Sequence, residues 1–234
     1  MTSLSVVAYA RSACARLSDD HIQRLRNALV GRYIAVCFGS GVGSTAMLCA
    51  LRIAGIRPHV ITFADTGGEK PETIAHVDAM NEVLISWGWP VIDVCKKVPL
   101  ASTGYSDLYG NCLANETLPS LAFGMKSCSI KWKQTPQDQF LKGARSGPNA
   151  RPPHPLWIEA KAAGQRIVKL IGYDCGRADM RRSKGLKQSD GDFDFTYPLQ
   201  IVGWTRRDCV RAITGLLGAC VNPVGCSMSI PVEN

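Results

Sequence analysis

Residues 33–46 read YIAVCFGSGVGSTA, and this stretch decides the fold of the chain. An apolar run of strand type ends at Phe38, a turn rich in glycine and serine follows, and an apolar helix pattern begins at Ser44. Glycines let backbone N–H groups approach a ligand closely, and the positive end of the helix dipole favours negative charge. The stretch therefore predicts a phosphate-binding turn, with a plain tight β–α connection as the structural alternative.

The turn does not match two common phosphate-binding loops. It holds no lysine, which the Walker loop requires before its serine or threonine. Its glycines, at positions 39, 41 and 43, also depart from the Gly-x-Gly-x-x-Gly spacing of dinucleotide-binding turns. Read from Cys37 to Thr45, the turn instead resembles the pyrophosphate loop of the adenine nucleotide alpha-hydrolase superfamily, which includes the PP-loop ATPases and PAPS reductases. Members of that superfamily read roughly Ser-Phe-Gly-Gly-Gly-x-Asp-Ser-Thr.

Three positions depart from that pattern: Cys37 replaces serine, Ser40 replaces glycine and Gly43 replaces aspartate. In ATP-cleaving members the aspartate helps to organise magnesium and pyrophosphate, so its absence puts ATP hydrolysis in doubt while leaving nucleotide binding implied. The sulfonucleotide-reductase branch lacks the same aspartate. The resemblance therefore implies a divergent member, and the end of the sequence soon after the late cysteines suggests a short or truncated one.

A second segment supports the resemblance. Residues 58–64 are typical of a buried strand, and residues 65–73, DTGGEKPET, resemble the family passage D-T-G-x-E-x-P-E-T. Pro71 suits the first turn of the helix pattern that continues to about Trp87. Asp65 and Glu69 are expected at the carboxyl end of a parallel strand, where ligands bind in open α/β sheets.

Three later stretches extend the resemblance over roughly residues 33–226. Residues 126–136, KSCSIKWKQTP, resemble the family signature Cys-Ser/Thr-x-x-Trp/Tyr-Lys-x-x-Pro, and residues 171–174, IGYD, resemble its next strand end. Residues 197–209 resemble the passage Y-P-L-x-x-x-G-W-x-R-x-D. No single motif is decisive, but their order and spacing are specific.

The resemblance implies an adenine nucleotide as ligand, either ATP or a sulfonucleotide such as PAPS or APS, with Mg²⁺ as a candidate companion. The implied nucleotide-binding residues are Phe38, Gly39, Ser40, Gly41, Val42, Gly43, Ser44, Thr45, Asp65, Thr66, Gly67 and Gly172. Asp65 and Glu69 are expected near the metal or the ribose. The cations expected to neutralise phosphate or sulfate oxygens are Lys131, Arg177 and Arg181.

The chain contains ten cysteines without a signal-peptide pattern, so a secreted disulfide framework is not expected. Some family members bind an iron–sulfur cluster, and the resemblance implies a candidate [4Fe–4S] site at Cys112, Cys128 and Cys226. Ser229 stands where a further late cysteine would be, which leaves Cys220 as a weaker substitute. Zinc binding and free thiols are the alternatives.

The composition fits a cytoplasmic, enzyme-like domain. The net charge is +8, and much of the basic excess follows residue 126, which suits a phosphate-bearing partner such as a nucleotide, tRNA or DNA. No apolar run approaches the ~20 residues of a membrane span. No membrane association is expected.

The pattern of elements predicts a doubly wound, mainly parallel α/β sheet with helices on both faces, a three-layer sandwich of HUP or PP-loop type. Strands are predicted at 33–38, 58–64, 91–95 and 167–173, and helices at 19–30, 44–54, 71–87, 117–124, 128–142, 156–163 and 205–217. The predicted organisation is an N-terminal segment and helix (1–32), a nucleotide-binding domain (33–204) and a C-terminal helix with a cysteine-containing tail (205–234). Within the central domain, residues 96–126 form a candidate lid and 146–155 a proline-rich loop.

The leading functional hypothesis is an enzyme that activates an oxygen with ATP, often for replacement by sulfur. A homodimer and a sulfur-donor protein are family-level expectations. The alternatives are a sulfonucleotide reductase and a non-catalytic nucleotide sensor or subunit of a nucleic-acid-modifying system.

Overall fold

The structure is a computed structural model that describes residues 18–116, 129–186 and 189–218. Its main elements are α1 (Asp19–Leu29), β1 (Ile34–Phe38), α2 (Val42–Ala54), β2 (Val60–Asp65), α3 (Pro71–Ser86), β3 (Ile92–Lys96), α4 (Leu108–Ala114), a π-helical turn (Ile130–Gln134), α5 (Thr135–Lys142), α6 (Pro155–Ala162), β4 (Ile167–Ile171), α7 (Arg177–Gly185), β5 (Phe193–Thr196), α8 (Pro198–Ile201) and α9 (Arg206–Leu217).

The five strands form one parallel sheet in the order β3-β2-β1-β4-β5. The central strand β1 pairs on one side with β2, where Ala35 lies opposite Val60, and on the other side with β4, where Ile34 lies opposite Val168. The predicted parallel α/β fold is therefore confirmed. The direction of chain travel across the sheet reverses between β1 and β4, and such a reversal opens a crevice at the carboxyl ends of the strands.

Two apolar layers cover the sheet because side chains alternate along each strand. Ile34, Val36 and Phe38 pack into a core with α2, α3 and α9, whereas Ala35 belongs to a second core with α5 and α6. The three-layer arrangement predicted from the sequence is thus confirmed. Helix α2 is buried along almost its whole length, so its N-terminus is held rigidly at the carboxyl edge of the sheet.

The helix predicted over residues 19–30 is present as α1. Ser18 is the N-cap of α1, and its Oγ accepts a hydrogen bond from the His21 N–H at 3.3 Å. At the other end, α9 packs directly against α2 and buries Cys209, as the apolar helix pattern predicted.

The four predicted strands are confirmed as β1–β4, and the fifth was missed because it is a four-residue edge strand with the sequence FDFT. Helix α7 was also missed, since its sequence RADMRRSKG has almost no apolar periodicity. The helix predicted at 117–124 lies outside the described residues. In the parts of the chain that the structure describes, no helix is both long and apolar enough to cross a bilayer.

Candidate functional site

The glycine- and serine-rich turn joins β1 to α2 at the carboxyl edge of the sheet. Gly41 is the N-cap of α2 in extended conformation, and its N–H donates to Ser44 Oγ at 3.1 Å. Ser44 Oγ donates in turn to Gly41 O at 3.0 Å, which closes a small capping loop. The N–H groups of the first turn of an α-helix have no acceptor within the helix. Those of residues 42–44 therefore give this edge of the sheet a positive helix end.

Ser40 has a left-handed backbone conformation, with φ of 57°. A residue with a Cβ atom pays for that conformation, which explains why glycine is the residue that the resembling loops have here. Ser40 compensates with its hydroxyl, which is buried and donates to the Thr73 carbonyl oxygen in α3 at 2.9 Å. The loop is thereby tied to the first turn of α3.

A second bond ties the start of α2 to the same helix. Thr45 Oγ1 lies 2.9 Å from His76 Nε2, and both residues are buried. The His76 ring also stacks on Phe38, with centroids 6.0 Å apart. Burial lowers the pKa of His76 to about 4, so its imidazole is neutral at pH 7. The hydroxyls of Ser40, Ser44 and Thr45 all have protein partners, which leaves backbone N–H groups as the donors that this turn offers.

Gly43 and Gly172 approach each other so closely that neither position admits a side chain. A Cβ atom on Gly43 would lie 2.2 Å from the carbonyl oxygen of Gly172, and one on Gly172 would lie 2.6 Å from the Ser44 nitrogen. The turn after β1 and the end of β4 are therefore in backbone contact. In this arrangement an aspartate could not replace Gly43 without a shift of the backbone.

The carboxylates expected at the end of β2 are both paired with lysines. Asp65 Oδ1 accepts from the Gly67 N–H at 2.8 Å, and Oδ2 lies 3.3 Å from Lys96 Nζ. Gly67 is in the left-handed region, with φ of 74°, where glycine is favoured.

Glu69 has a similar environment. Its Oε1 accepts from Thr66 Oγ1 at 2.9 Å and lies 3.4 Å from Lys133 Nζ. Each carboxylate therefore has an ammonium partner in this structure, and the magnesium role of Asp65 and Glu69 stays a prediction.

Lys131 lies apart from the turn after β1. Its Nζ donates to the Tyr105 hydroxyl oxygen at 3.1 Å and lies 5.7 Å from the centroid of the Trp132 ring. Lys97 Nζ lies 5.9 Å from the same centroid. Sequence reasoning singled out Lys131 but missed Lys97 and Tyr105, because both lie where the sequence has no periodic pattern.

The other predicted cations follow β4. Arg177 and Arg181 are exposed on α7, which begins just beyond the end of β4. The connecting turn is held by Asp174, a buried carboxylate whose Oδ1 accepts from the Gly176 N–H at 2.6 Å. Both arginines are therefore exposed residues of the helix that follows β4.

Two tyrosines that sequence reasoning did not single out follow the neighbouring strands β4 and β5. The rings of Tyr173 and Tyr197 are stacked, with centroids 5.6 Å apart and planes 7° from parallel. Burial raises the pKa of both phenols, so they stay protonated at pH 7. They form an aromatic wall beside Gly172.

The structure describes one of the four predicted cluster cysteines. Cys112 is a partly exposed free thiol on α4, whereas Cys128, Cys220 and Cys226 lie outside the described residues. Within residues 18–116, 129–186 and 189–218, no three His, Cys, Asp or Glu side chains are arranged to hold a metal ion. The iron–sulfur site therefore stays a prediction.

Comparison with known proteins adds no family assignment. No protein-family model matches the chain, and no curated protein matches it significantly in sequence. The structure supports the fold class, a five-stranded parallel α/β sheet with helices on both faces.

Proposed function

We propose that the protein binds an adenine nucleotide in the crevice between the ends of β1 and β4, with the phosphates at residues 39–45. One observation carries the proposal: the glycine-rich turn and Gly172 meet at the point where the strand order reverses. Open α/β sheets bind their ligands at that point, outside the carboxyl ends of the strands. The choice of an adenine nucleotide rests on the sequence resemblance to PP-loop and PAPS reductase-like proteins.

The phosphate contacts are assigned to backbone N–H groups at the start of α2. The hydroxyls of the turn form hydrogen bonds with protein groups. Their role is therefore to fix the positions of those N–H groups, and not to bind the ligand. The turn also has free space on its outer side: a Cβ atom on Gly41 would meet no atom within 4 Å. An anion at that position would gain from the dipole of α2.

As an enzyme, the protein would use ATP to activate an oxygen of an acceptor for replacement, with sulfur chemistry as the family precedent. The contribution of this chain would be positioning and charge stabilisation. Arg177 and Arg181 are exposed on the helix that follows β4, and their guanidinium groups can neutralise phosphate or sulfate oxygens. A sulfonucleotide reductase would use the same phosphate contacts with a different acceptor.

The second candidate function is a non-catalytic nucleotide sensor or a subunit of a nucleic-acid-modifying system. Two observations favour it. The contact between Gly43 and Gly172 leaves no room for the aspartate of ATP-cleaving relatives, and Asp65 and Glu69 are each paired with a lysine. Release of pyrophosphate from ATP separates the two candidates, because a sensor binds ATP without turnover.

A matched pair of substitutions tests nucleotide binding. Aspartate and asparagine are both favourable N-cap residues, so Gly41→Asp and Gly41→Asn keep the start of α2 intact. The two variants differ only in the charge that they place where a phosphate is expected. In calorimetric titrations with ATP, we expect Gly41→Asn to bind and Gly41→Asp to lose at least about tenfold in affinity. Equal affinity of the two variants for ATP would refute the phosphate position.

A further inference from the structure

The geometry points to a second anion-binding subsite, formed by Lys97, Tyr105 and Lys131, that takes a phosphate or sulfate group. These three side chains converge beside the indole of Trp132, and we call them the lysine–tyrosine cluster. The choice between the nucleotide and the acceptor as the source of the bound group rests on the proposed function. The presence of an oxyanion site at the lysine–tyrosine cluster is independent of the proposed function.

The cluster contains one internal hydrogen bond and offers further donors to a ligand. Lys131 Nζ donates to the Tyr105 hydroxyl oxygen at 3.1 Å, so the phenolic proton of Tyr105 is left to donate to another group. Both ammonium groups lie over the Trp132 ring, at 5.7 Å for Lys131 and 5.9 Å for Lys97. Two ammonium nitrogens and one phenolic O–H are a donor set that suits an oxyanion.

Among the residues that the structure describes, no carboxylate is ion-paired with Lys97 or Lys131. The neighbouring lysines Lys96 and Lys133 are ion-paired with the carboxylates at the end of β2. Two like charges at one indole repel each other, so a bound anion would relieve an electrostatic cost.

Two further properties of the aromatic residues agree with this electrostatic environment. The pKa of the Tyr105 phenol is lowered, first by the hydrogen bond from Lys131 and then by the charges of Lys131 and Lys97. Trp132 is only 1% exposed, and its indole N–H is buried without a hydrogen-bond partner. A buried donor without a partner is costly.

The cluster lies on the same edge of the sheet as the turn after β1. Lys97 directly follows β3, and the loop of Tyr105 is held to the end of β2 because the Leu108 N–H donates to Thr66 O at 2.9 Å. Strand β3 is two positions from β1 in the sheet. The spacing of neighbouring strands therefore separates the cluster from the turn by roughly 10 Å. A single extended ligand, or a nucleotide and its acceptor, could reach both places.

The test uses inorganic sulfate as the probe, in the Gly41→Asp background so that the turn after β1 does not compete. Tryptophan fluorescence is followed as sodium sulfate is added, against sodium chloride of equal ionic strength. We expect a saturable fluorescence change, and we expect the affinity for sulfate to fall about tenfold in each of Lys97→Gln and Lys131→Gln. Tyr105→Phe, which keeps the ring but removes the phenolic proton, should weaken it less.

Lys161→Gln is the matched control. Lys161 also lies over an indole, with Nζ 4.5 Å from the Trp157 centroid, but it is paired with Asp192 and lies on α6. Its loss should leave sulfate binding unchanged. An unchanged response in Lys97→Gln and Lys131→Gln, or an equal loss in Lys161→Gln, would overturn the subsite.

Sulfate titrations of the protein with an intact Gly41, with and without saturating ATP, assign the source of the group. Loss in the ATP complex of the part of the sulfate response that Lys97→Gln and Lys131→Gln remove would place a group of the nucleotide itself at the cluster. Retention of that part in the ATP complex would assign the cluster to the acceptor, and the remainder of the response reports sulfate at the turn after β1. If the proposed function is wrong and the subsite is right, the protein would not bind ATP, while sulfate binding would still depend on Lys97 and Lys131.

Discussion

Thr45 Oγ1 and His76 Nε2 lie 2.9 Å apart, and this buried contact joins the helix that follows the glycine-rich turn to the next helix of the sheet. Together with the bond from Ser40 to Thr73, it holds the turn against α3. The proposed anion contacts through backbone N–H groups require those groups to stay in place, and these two side-chain bonds provide the restraint.

The stability of the protein should fall as the pH is lowered through the range in which His76 titrates. Its pKa is about 4 in the folded protein, below the ordinary 6.5, so between these values the unfolded chain binds a proton that the folded protein does not. The stabilisation is therefore present above pH 6.5 and is lost towards pH 4. We expect a loss of about 2 kcal/mol between pH 7.5 and pH 5, measured by urea denaturation.

His76→Gln provides the control for that measurement, because glutamine keeps a polar group near Thr45 but does not titrate. The pKa of His59 is also lowered by burial, so some pH dependence will remain in the variant. The difference between the wild type and His76→Gln isolates the contribution of His76. Parallel pH curves for the two proteins would contradict the assignment.

Ser40 should tolerate glycine better than alanine. Both substitutions remove the hydroxyl bond to Thr73 O, but only glycine adopts the left-handed conformation at no steric cost. We expect Ser40→Ala to be less stable than Ser40→Gly by about 1 kcal/mol in chemical denaturation. The reverse order would mean that the turn can change its backbone conformation.

Gly43→Ala should be far more damaging than Gly41→Ala. The new methyl group at position 43 would meet the Gly172 carbonyl at 2.2 Å, whereas at position 41 it would meet nothing within 4 Å. We expect a loss of about 3 kcal/mol for Gly43→Ala and less than about 1 kcal/mol for Gly41→Ala, by urea denaturation. Similar stabilities of the two variants would show that the turn and the end of β4 are not in tight contact.

Lys169 is a buried cation, and removal of its counter-charge should destabilise the protein more than removal of the cation. It is 4% exposed on β4, is paired with Asp138 of α5, and its Nζ lies 3.8 Å from the centroid of the Phe193 ring. Asp138→Asn would leave a buried ammonium without its carboxylate and should cost about 3 kcal/mol, whereas Lys169→Met should cost no more than about 1 kcal/mol. Thermal and urea unfolding of both variants measure the difference. A larger loss for Lys169→Met would show that the ion pair itself stabilises the fold.

Much of the fold could be predicted because its signals are local. The strand pattern up to Phe38, the glycines that follow it and the buried helix from Val42 all lie within one continuous stretch. The prolines at 71 and 155 begin helices, as expected for a residue whose φ suits the first turn. Strand β5 and helix α7 were missed because an edge strand and an exposed basic helix do not need the apolar periodicity on which prediction depends.

The candidate site was predicted only in part. The sequence singled out the turn, Asp65, Glu69 and Lys131, and it counted the hydroxyl-bearing Ser40, Ser44 and Thr45 among the residues that bind the nucleotide. In the structure these hydroxyls bind protein groups. Ser40 donates to the backbone carbonyl of Thr73, which any residue at that position would offer, so no side-chain pattern could signal that bond. The contact of Thr45 with His76 joins two helices and could not be read from spacing along the chain.

The sequence by itself determined the strands β1–β4, the helices with apolar periodicity, the glycine-rich turn and the sign of the charge near it, because each depends on residues that are neighbours along the chain. Only the tertiary structure decided that His76 meets Thr45, 31 residues away, that Gly43 meets Gly172, and that Lys97 and Lys131 share one indole. Those contacts depend on the sheet order, which brings distant segments to the same edge. Packing between them, rather than any local preference, then sets which polar groups have protein partners.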